Sequence, residues 1–335
     1  MIGTMTSSPG RHRTSPRLQL ALLAGRTAAT ASRLAGRGSG ASIRGRVTMT
    51  LAPRALPELL ADRRVASVTG TNGKTTTTHF LTAAVKAGTP DGQRNVVTNA
   101  DGANLHHGIV SALGEAPDAT IAVLETDERV VADVVAMGNP EVLVLLNFSR
   151  DQLDRNHELT FLGRDWRAAL EGAAEHGPTV VANACDPLIV WVCQKARQVI
   201  WVDTKPRWTA DSTLCPNCDA VLTHGEDGWD CPGCELSQPA ADWWVEDHDA
   251  VEASGRRFHL DVQVPGSFNL TNATCALAAA IHMSIQPEDA LRGIATVESP
   301  AGRYATCTIS GTHCRLLLSK NPAGWTESLP LTTSD

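Results

Sequence analysis

One stretch of this chain has the composition of a phosphate-binding loop. In Gly70-Thr-Asn-Gly-Lys-Thr-Thr76, two glycines precede a lysine and two hydroxyl side chains. Glycines let backbone N–H groups approach a phosphate, and the N-terminus of a following helix favours negative charge. We expect Lys74 to reach the β- and γ-phosphates, and the hydroxyl of Thr75 or Thr76 to bind Mg²⁺. The predicted nucleotide-binding residues of the loop are Gly70, Thr71, Asn72, Gly73, Lys74, Thr75 and Thr76.

Four cysteines form a second pattern that could do chemistry. Cys215-Pro-Asn-Cys218 and Cys231-Pro-Gly-Cys234 are separated by twelve residues. This spacing suits one tetrahedral Zn²⁺ with four thiolate ligands, Cys215, Cys218, Cys231 and Cys234. Four protein ligands leave no open coordination position, so we predict a structural zinc and not a catalytic one. Redox-active pairs or unligated thiols are the alternatives.

The surroundings of the cysteine quartet bear on what it does. Zinc ribbons often bind nucleic acid, but residues 203–249 contain eleven acidic residues against Lys205 and Arg207. A phosphate-binding surface should be basic, so we expect no nucleic-acid partner. The total of nine cysteines is odd and fits a disulfide set badly, which indicates a reducing compartment. Five cysteines lack partner spacing and are predicted to be core or incidental thiols: Cys185, Cys193, Cys275, Cys307 and Cys314.

An acidic residue follows a buried strand downstream of the loop. Glu125 comes directly after Ile121-Ala-Val-Leu124. A carboxylate at the carboxyl end of a strand beside a phosphate loop is placed to hold Mg²⁺, directly or through water. The alternative is an acidic strand end that faces solvent.

Segments that read as strands alternate with segments that read as helices. Val65 to Thr69 and the nearly continuous apolar run Glu141 to Asn147 are typical of buried parallel strands. Helical patterns cover Thr75 to Lys86, Phe161 to Ala174 and Asn269 to Met283. This alternation predicts an α/β fold with a doubly wound, mostly parallel sheet.

Charge and hydropathy limit the classes of protein further. The 335 residues carry a net charge of −7, yet the part from Met1 to Arg64 has eleven arginines, no lysine, and only Glu58 and Asp62 as acids. No apolar run reaches the length of about 18 residues that spans a membrane. We therefore predict no transmembrane segment.

The loop with its flanking residues, Thr69-Gly-Thr-Asn-Gly-Lys-Thr-Thr76, resembles that of the Mur ligase superfamily, because Val68 stands where the strict Walker pattern has glycine. The superfamily uses ATP to ligate amino acids in peptidoglycan and folate synthesis. The resemblance implies that Glu125 holds Mg²⁺, that Asn269 and Asn272 meet the adenine, and that Arg303 reaches the phosphates. The resemblance therefore implies that Lys74, Glu125 and Arg303 are catalytic residues. It also implies that Thr75 and Glu125 bind Mg²⁺.

Several positions depart from the usual Mur pattern. Phe268 stands in place of a histidine before Asn269, and Gln152 in place of a metal-binding histidine in the segment Asn147 to Arg155. The carbamylated lysine of ordinary Mur ligases has no counterpart around Trp166. A second Mg²⁺ site of the usual kind is therefore not supported.

The cysteine quartet inserted in a Mur-like domain resembles the MurT family, the synthetase subunits of lipid II isoglutaminyl synthase. That resemblance implies ATP-dependent activation of the α-carboxylate of D-glutamate in the stem peptide of lipid II. Ammonia from a GatD-type glutamine amidotransferase subunit would then give D-isoglutamine. It implies a heterodimer that is cytoplasmic and acts at the inner face of the membrane. An ordinary amino-acid ligase of the folylpolyglutamate or UDP-muramyl class and a zinc-ribbon binding module are the alternatives.

The predicted domain organisation has four parts. Residues 1–60 form a basic segment that is partly disordered and then packs on the central domain. Residues 61–299 form the ATP-binding domain, residues 205–249 a zinc-ribbon insertion within it, and residues 300–335 the start of a truncated C-terminal domain. The MurT family continues past Lys320-Asn-Pro-Ala-Gly324 into a domain that supplies an aspartate without a counterpart here. We expect this chain alone to bind nucleotide and zinc but to amidate poorly or not at all.

Overall fold

The computed structural model describes residues 14–36, 40–99, 102–149, 156–173, 175–226, 228–298 and 304–332. Its helices are α1 Pro16–Leu34, α2 Ala41–Leu51, α3 Ala55–Leu60, α4 Lys74–Ala87, α5 Gly92–Asn95, α6 His106–Glu115, α7 Val131–Gly138, α8 Asn156–Gly172, α9 Pro187–Cys193, α10 Ser267–His282, α11 Pro287–Ile294 and α12 Pro322–Ser328. Its strands are β1 Arg64–Thr69, β2 Val96–Thr98, β3 Ile121–Glu125, β4 Val142–Leu145, β5 Thr179–Asn183, β6 Gln198–Val202, β7 Thr223–Gly225, β8 Gly228–Asp230, β9 Trp243–Glu246, β10 Asp249–Glu252, β11 Arg257–His259, β12 Tyr304–Ile309 and β13 Thr312–Leu317. A 3-10 turn covers Leu329–Thr332.

The central sheet has nine strands in the order β11-β10-β9-β6-β5-β4-β1-β3-β2. From β2 to β9 the neighbours run parallel, and β10 and β11 add an antiparallel edge. The predicted α/β class with a doubly wound, mostly parallel sheet is confirmed.

Alternating side chains of the strands pack against helices on both faces of the sheet. On one face, Ala66 and Val68 of β1 pack with α4 and α10 in a cluster that includes Phe80 and Leu277. On the other face, Val65 packs with α1, α3 and α6. Because both faces are covered by helices, the strands are apolar throughout, as is typical of buried parallel strands.

The strand order changes direction beside β1. The chain runs from β1 to β2 and β3 on one side, and then crosses to β4 on the other. In such sheets the crevice beyond the carboxyl ends of the strands, at the point of reversal, is where ligands bind. The loops that follow β1 and β4 therefore face the same crevice.

The first helices cover the β2 edge of one face. Leu18, Ala21 and Leu22 of α1 are buried in the cluster with Leu56 of α3 and Leu113 of α6. Gly25 permits close contact between α1 and α2, since a Cβ there would lie 2.5 Å from Thr48 Oγ1. The described part of the predicted N-terminal segment thus packs on the central sheet.

The cysteine-rich stretch forms a small unit beside α9. Its antiparallel strands β7 and β8 pair from Thr223 to Asp230. Trp229 is buried there and donates its indole N–H to Ala184 O at 3.3 Å. The predicted insertion reached residue 249, but β9 pairs with β6 and belongs to the central sheet.

Some predicted features lie outside the described residues. They are Arg303, the segment 150–155 with Gln152, and the first thirteen residues. In the part of the chain that the structure describes, every helix falls short of the length and apolarity that a membrane crossing requires.

Candidate nucleotide site and metal centre

The loop after β1 has the backbone shape of a phosphate cradle. Gly70 has φ +138° and Gly73 has φ +85°, values that side chains rarely permit. A Cβ on Gly70 would lie 2.9 Å from Asn147 N, and one on Gly73 would lie 2.9 Å from Asn272 Oδ1. Helix α4 begins at Lys74, directly after the second glycine. Both glycines are therefore required by the close approach of neighbouring groups.

A second loop fixes the first one. The Asn147 side chain accepts from Asn72 N at 2.9 Å and donates to Asn72 O at 3.0 Å. Thr71 N donates to Asn147 O at 2.9 Å, and the Thr71 hydroxyl donates to Ser149 O at 3.1 Å. These bonds join the loops that follow β1 and β4, at the point where the strand order reverses.

The loop lysine has a carboxylate partner. Lys74 Nζ donates to Gly70 O and lies 3.1 Å from Glu128 Oε1. The two side chains of this ion pair are only 11% and 17% exposed. An anionic phosphate at the loop would compete with Glu128 for the lysine charge.

Glu125 lies at the carboxyl end of β3 and is buried. Its backbone N–H donates to Asn99 Oδ1 at 2.8 Å, and Asn99 Nδ2 donates to Glu125 O at 2.8 Å. Asn104 Nδ2 donates to Glu125 Oε1 at 3.0 Å. Asn99 thus fixes the backbone of Glu125, and Asn104 holds its carboxylate.

A neighbouring acid is kept ionised by a basic side chain. Burial opposes ionisation of Asp127, but hydrogen bonds from Arg129 outweigh it and hold the pKa of Asp127 below its usual range. The guanidinium Nε donates to Asp127 Oδ1 at 2.9 Å.

A cavity of about 710 Å³ collects the predicted site residues. Its lining includes the loop from Thr71 to Thr76, Glu125, Asn269 and Asn272. Asn269 is buried and accepts from Asn272 Nδ2 at 3.1 Å. Asn272 lies against Gly73, so the start of α10 and the loop form neighbouring walls of one cavity.

The segment after β13 also reaches the loop. Asn321 begins α12 as its N-cap, accepting from Gly324 N at 2.8 Å. The same side-chain oxygen accepts from Asn72 Nδ2 at 3.3 Å. Lys320, next to it, lines the cavity.

Sequence reasoning missed several residues of this cavity. The cavity lining also includes Glu128, Asp186, Trp208 and Asn183. Asn183 Nδ2 donates to Leu146 O at 2.9 Å. Burial raises the pKa of Asp186 to about 6, although its carboxylate accepts from Phe148 N. Polar residues at the carboxyl end of successive buried strands are the signal that could have found Asn183 and Asp186.

The cysteine quartet lies outside that cavity and has metal-site geometry of its own. The four sulfur atoms lie within 4.8 Å of one another. Cys215 Sγ is 3.6 Å from Cys234 Sγ, and Cys218 Sγ is 3.4 Å from Cys231 Sγ. Tetrahedral thiolates at about 2.3 Å from a zinc ion would be about 3.8 Å apart. The quartet therefore fits a metal ion with four sulfur ligands.

The remaining cysteines have no such arrangement among the described residues. Cys193 and Cys275 are buried in the core, and burial raises the pKa of Cys275 to about 12. Burial likewise raises the pKa of Cys185 to about 12. Cys307 is exposed on β12.

The nucleotide cavity also fits the ligands predicted from the sequence. It has room for a nucleoside triphosphate, a cradle that a Cβ would fill, and a lysine at the helix start. Thr75 and Glu125 present oxygen ligands of the kind that Mg²⁺ prefers.

Comparison with known proteins agrees with this geometry. The chain is 27% identical to the lipid II isoglutaminyl synthase subunit MurT of Streptococcus pneumoniae, over 93% of this chain and 73% of that protein. It is 26% identical to MurT of Staphylococcus aureus, over 82% of this chain and 65% of that protein. A pseudomurein peptide ligase type C from Methanothermus fervidus superposes with a TM-score of 0.59 at 21% identity, over 81% of this chain and 57% of its own.

The family assignment rests on the central part of the chain. Residues 68–280 match the Mur ligase middle domain, and this range contains the phosphate loop, Glu125 and the parallel strands β3 to β6. The chain therefore belongs to the Mur ligase family of ATP-dependent carbon–nitrogen ligases.

Proposed function

We propose that this chain activates the α-carboxylate of D-glutamate in the lipid II stem peptide for amidation to D-isoglutamine. The observation that carries the proposal is the similarity to MurT subunits along 93% of this chain. The sulfur quartet adds support, because it lies in the range that is similar to MurT. It is also the feature by which the sequence resembles the MurT family and not an ordinary Mur ligase.

ATP is proposed to bind across the loop and the start of α10. The loop amides from Thr71 to Thr76 would cradle the phosphates, and Lys74 would leave Glu128 to neutralise the γ-phosphate. Asn269 and Asn272 would contact the nucleotide from the neighbouring wall. Arg303 is proposed to approach the phosphates as well.

Mg²⁺ is proposed to be held by Thr75 and Glu125. When bound, the ion would neutralise charge on the β- and γ-phosphates. Asn104, through its hydrogen bond to Glu125 Oε1, would keep that carboxylate turned toward the phosphates. Lys74, Glu125 and Arg303 are the proposed catalytic residues.

The proposed reaction has two steps. A carboxylate oxygen of the D-glutamate attacks the γ-phosphorus, and the bond from that phosphorus to the β-phosphate oxygen breaks, so that ADP leaves. Ammonia then attacks the acyl carbon, phosphate leaves, and the nitrogen loses a proton. Lys74 would stabilise the negative charge on the phosphoryl group while it is transferred.

A glutamine amidotransferase of the GatD type is the proposed partner and source of ammonia. The proposed setting is the inner face of the membrane, where a lipid-linked substrate is presented. Zinc is the proposed metal of the quartet, in a structural role, because four thiolates leave no position for substrate.

The decisive experiment is amidation of lipid II in the presence of ATP. We expect mass spectrometry to show slow conversion of the carboxylate to an amide when glutamine and the glutaminase subunit are added, or when ammonium replaces both. Lys74→Ala should abolish the product. Lys195→Ala is the matched control, because Lys195 pairs with Glu171 at 2.8 Å on an exposed surface.

The alternative is a ligase that joins a free amino acid, as the fold shared with a pseudomurein peptide ligase would permit. Ligation of an amino acid without any glutaminase or ammonium would favour it. Absence of ATP-dependent amide with both nitrogen sources would contradict the proposed amidation.

A further inference from the structure

Helix α1 has an unusual outer face. Leu20, Leu23 and Leu34 are 69%, 58% and 85% exposed, and they lie on the side opposite the buried Leu18 and Leu22. At 100° per residue these leucines share one stripe with Thr27, Thr30 and Ala31. We call this stripe, from Leu20 to Leu34, the α1 outer face. A face that is apolar on the solvent side of a helix is a candidate contact surface.

Arginines border this stripe on both sides. Arg17 lies along one edge, and Arg26 and Arg33 lie along the other. All three are exposed. Arg17 Nε donates to Leu51 O at 2.7 Å, which places the start of α1 beside the end of α2. An arginine beside an apolar stripe can extend its charge to a polar boundary while its carbons stay on the apolar side.

Acidic residues reach this region from other elements: Glu58 Oε2 accepts from Ser15 N at 3.3 Å, and Glu115 pairs with Arg44 of α2. The first acid of the chain is Glu58, and the 57 residues before it contain nine arginines, in a chain of net charge −7. The adjoining helix α2 has no acid of its own, and it exposes Ile43 and Leu51. Among the described residues, the helices that expose these leucines therefore also expose basic side chains: Arg17, Arg26, Arg33 and Arg46.

We propose that the α1 outer face binds the surface of an anionic lipid bilayer, with Leu20 and Leu23 entering the headgroup boundary and Arg17, Arg26 and Arg33 contacting lipid phosphates. An amphipathic helix with leucines on one face and basic flanks lies in the plane of a membrane interface. Anionic lipids attract basic residues near the surface. Arg17 and Arg26 donate only to backbone carbonyls, Leu51 O and Gly114 O, in the hydrogen bonds described. The charge complementarity selects a bilayer over an apolar protein groove, which would offer these guanidinium groups no anionic partner.

The biological purpose of this membrane contact rests on the proposed function. The α1 outer face would hold the nucleotide cavity near a substrate anchored by a lipid tail. Its binding to lipid, however, needs neither nucleotide nor substrate, so it can be tested without either.

The test is flotation of the full chain with vesicles made of equal parts phosphatidylglycerol and phosphatidylcholine, compared with phosphatidylcholine alone. We expect binding to the anionic vesicles that weakens as salt is added. Leu20→Ser/Leu23→Ser should weaken it by roughly ten-fold or more, and Arg33→Gln by roughly five-fold. Met137→Ser/Leu316→Ser removes two other exposed apolar side chains (45% and 60% exposed) and should leave binding unchanged.

Three outcomes would overturn the proposal. They are no binding to anionic vesicles, equal binding to both kinds of vesicle, and binding that Leu20→Ser/Leu23→Ser leaves intact. If that variant instead loses self-association or glutaminase binding while vesicles are never bound, the face is a protein contact. Vesicle binding without any amidation of lipid II would contradict the proposed function. It would still support the binding of the α1 outer face to lipid.

Discussion

The contact between Lys74 and Glu128 predicts that a substitution will improve nucleotide binding. ATP must take the lysine charge that Glu128 holds at 3.1 Å in this arrangement. Glu128→Gln keeps the size and one acceptor oxygen but removes the charge. We expect the dissociation constant of ATP to fall in this variant.

The magnitude follows from distance and burial. Unit charges 3.1 Å apart attract by about 5 kcal/mol at an effective dielectric constant of about 20. Desolvation of two side chains that are mostly buried offsets much of this. The exchange of Glu128 for a phosphate then costs about 1–2 kcal/mol of the free energy of ATP binding. Removal of this cost corresponds to roughly five- to thirty-fold tighter ATP binding in the variant.

Titration calorimetry with ATP and Mg²⁺ measures the effect. Glu171→Gln is the matched control, because it removes the same charge from a lysine pair that is far more exposed, at 38% and 59%. It should leave the dissociation constant unchanged. An equal or higher dissociation constant for Glu128→Gln would refute the competition and would indicate that Glu128 itself supports nucleotide or metal.

Three further changes test other parts of the site. Gly73→Ala should weaken ATP binding by roughly ten-fold or more, because φ +85° and the nearby Asn272 Oδ1 oppose a Cβ. Gly255→Ala is the control, because Gly255 has φ +87° with open space around it. Calorimetry should show an unchanged dissociation constant of ATP for this control. Cys218→Ser should reduce zinc from one ion per chain to none by elemental analysis and lower the melting temperature, whereas Cys307→Ser on β12 should do neither. The raised pKa of Asp186, about 6, means that the folded state keeps a proton which the unfolded state releases near pH 4. The unfolding free energy should therefore fall by about 3 kcal/mol, relative to Asp186→Asn, as pH rises from about 4 to about 6 in urea titrations, and then stay level; a parallel pH dependence of the two proteins would refute this.

Most of the sheet could be predicted because its strands are buried on both faces. Val65 to Thr69 differs from β1 by one residue, and Glu141 to Asn147 contains the whole of β4. Such strands are short, apolar and rich in β-branched residues, so composition alone marks them. The end of the insertion was harder to predict, because Trp243 to Glu246 follows an irregular acidic stretch. It pairs with β6 through Val202 and Trp243, which are 41 positions apart.

The candidate site was predictable where its signal is local. Loop and cysteine spacing are visible in the sequence, and the structure brings Glu125, Asn269 and Asn272 to the same cavity as the loop. The pairing of Lys74 with Glu128 was not visible, since fifty-four positions separate them and only the parallel order of β1 and β3 brings them together. The hydrogen bonds between the Asn147 side chain and the Asn72 backbone depend in the same way on β4 lying beside β1.

These contacts connect the sulfur quartet to the nucleotide cavity. Asn183 donates to Leu146 O beside the loop, and its Oδ1 accepts from the Thr204 hydroxyl at 2.8 Å. Thr204 begins the stretch that carries Trp208 into the cavity lining and then reaches Cys215. Backbone N–H of Arg207 donates to Glu327 of α12 at 3.2 Å.

A metal ion in the quartet would restrain one end of this cavity wall, at the first knuckle, while the hydrogen bonds of Asn183 hold its start. Loss of the metal should act on this wall before it acts on the parallel sheet, because the quartet packs against α9 and not against β1 or β4. Such a metal would be structural in its chemistry, and its loss should also lower the affinity for the nucleotide. The zinc-free variant Cys218→Ser should therefore bind ATP more weakly as well as melt at a lower temperature, and an unchanged dissociation constant for ATP would contradict this link.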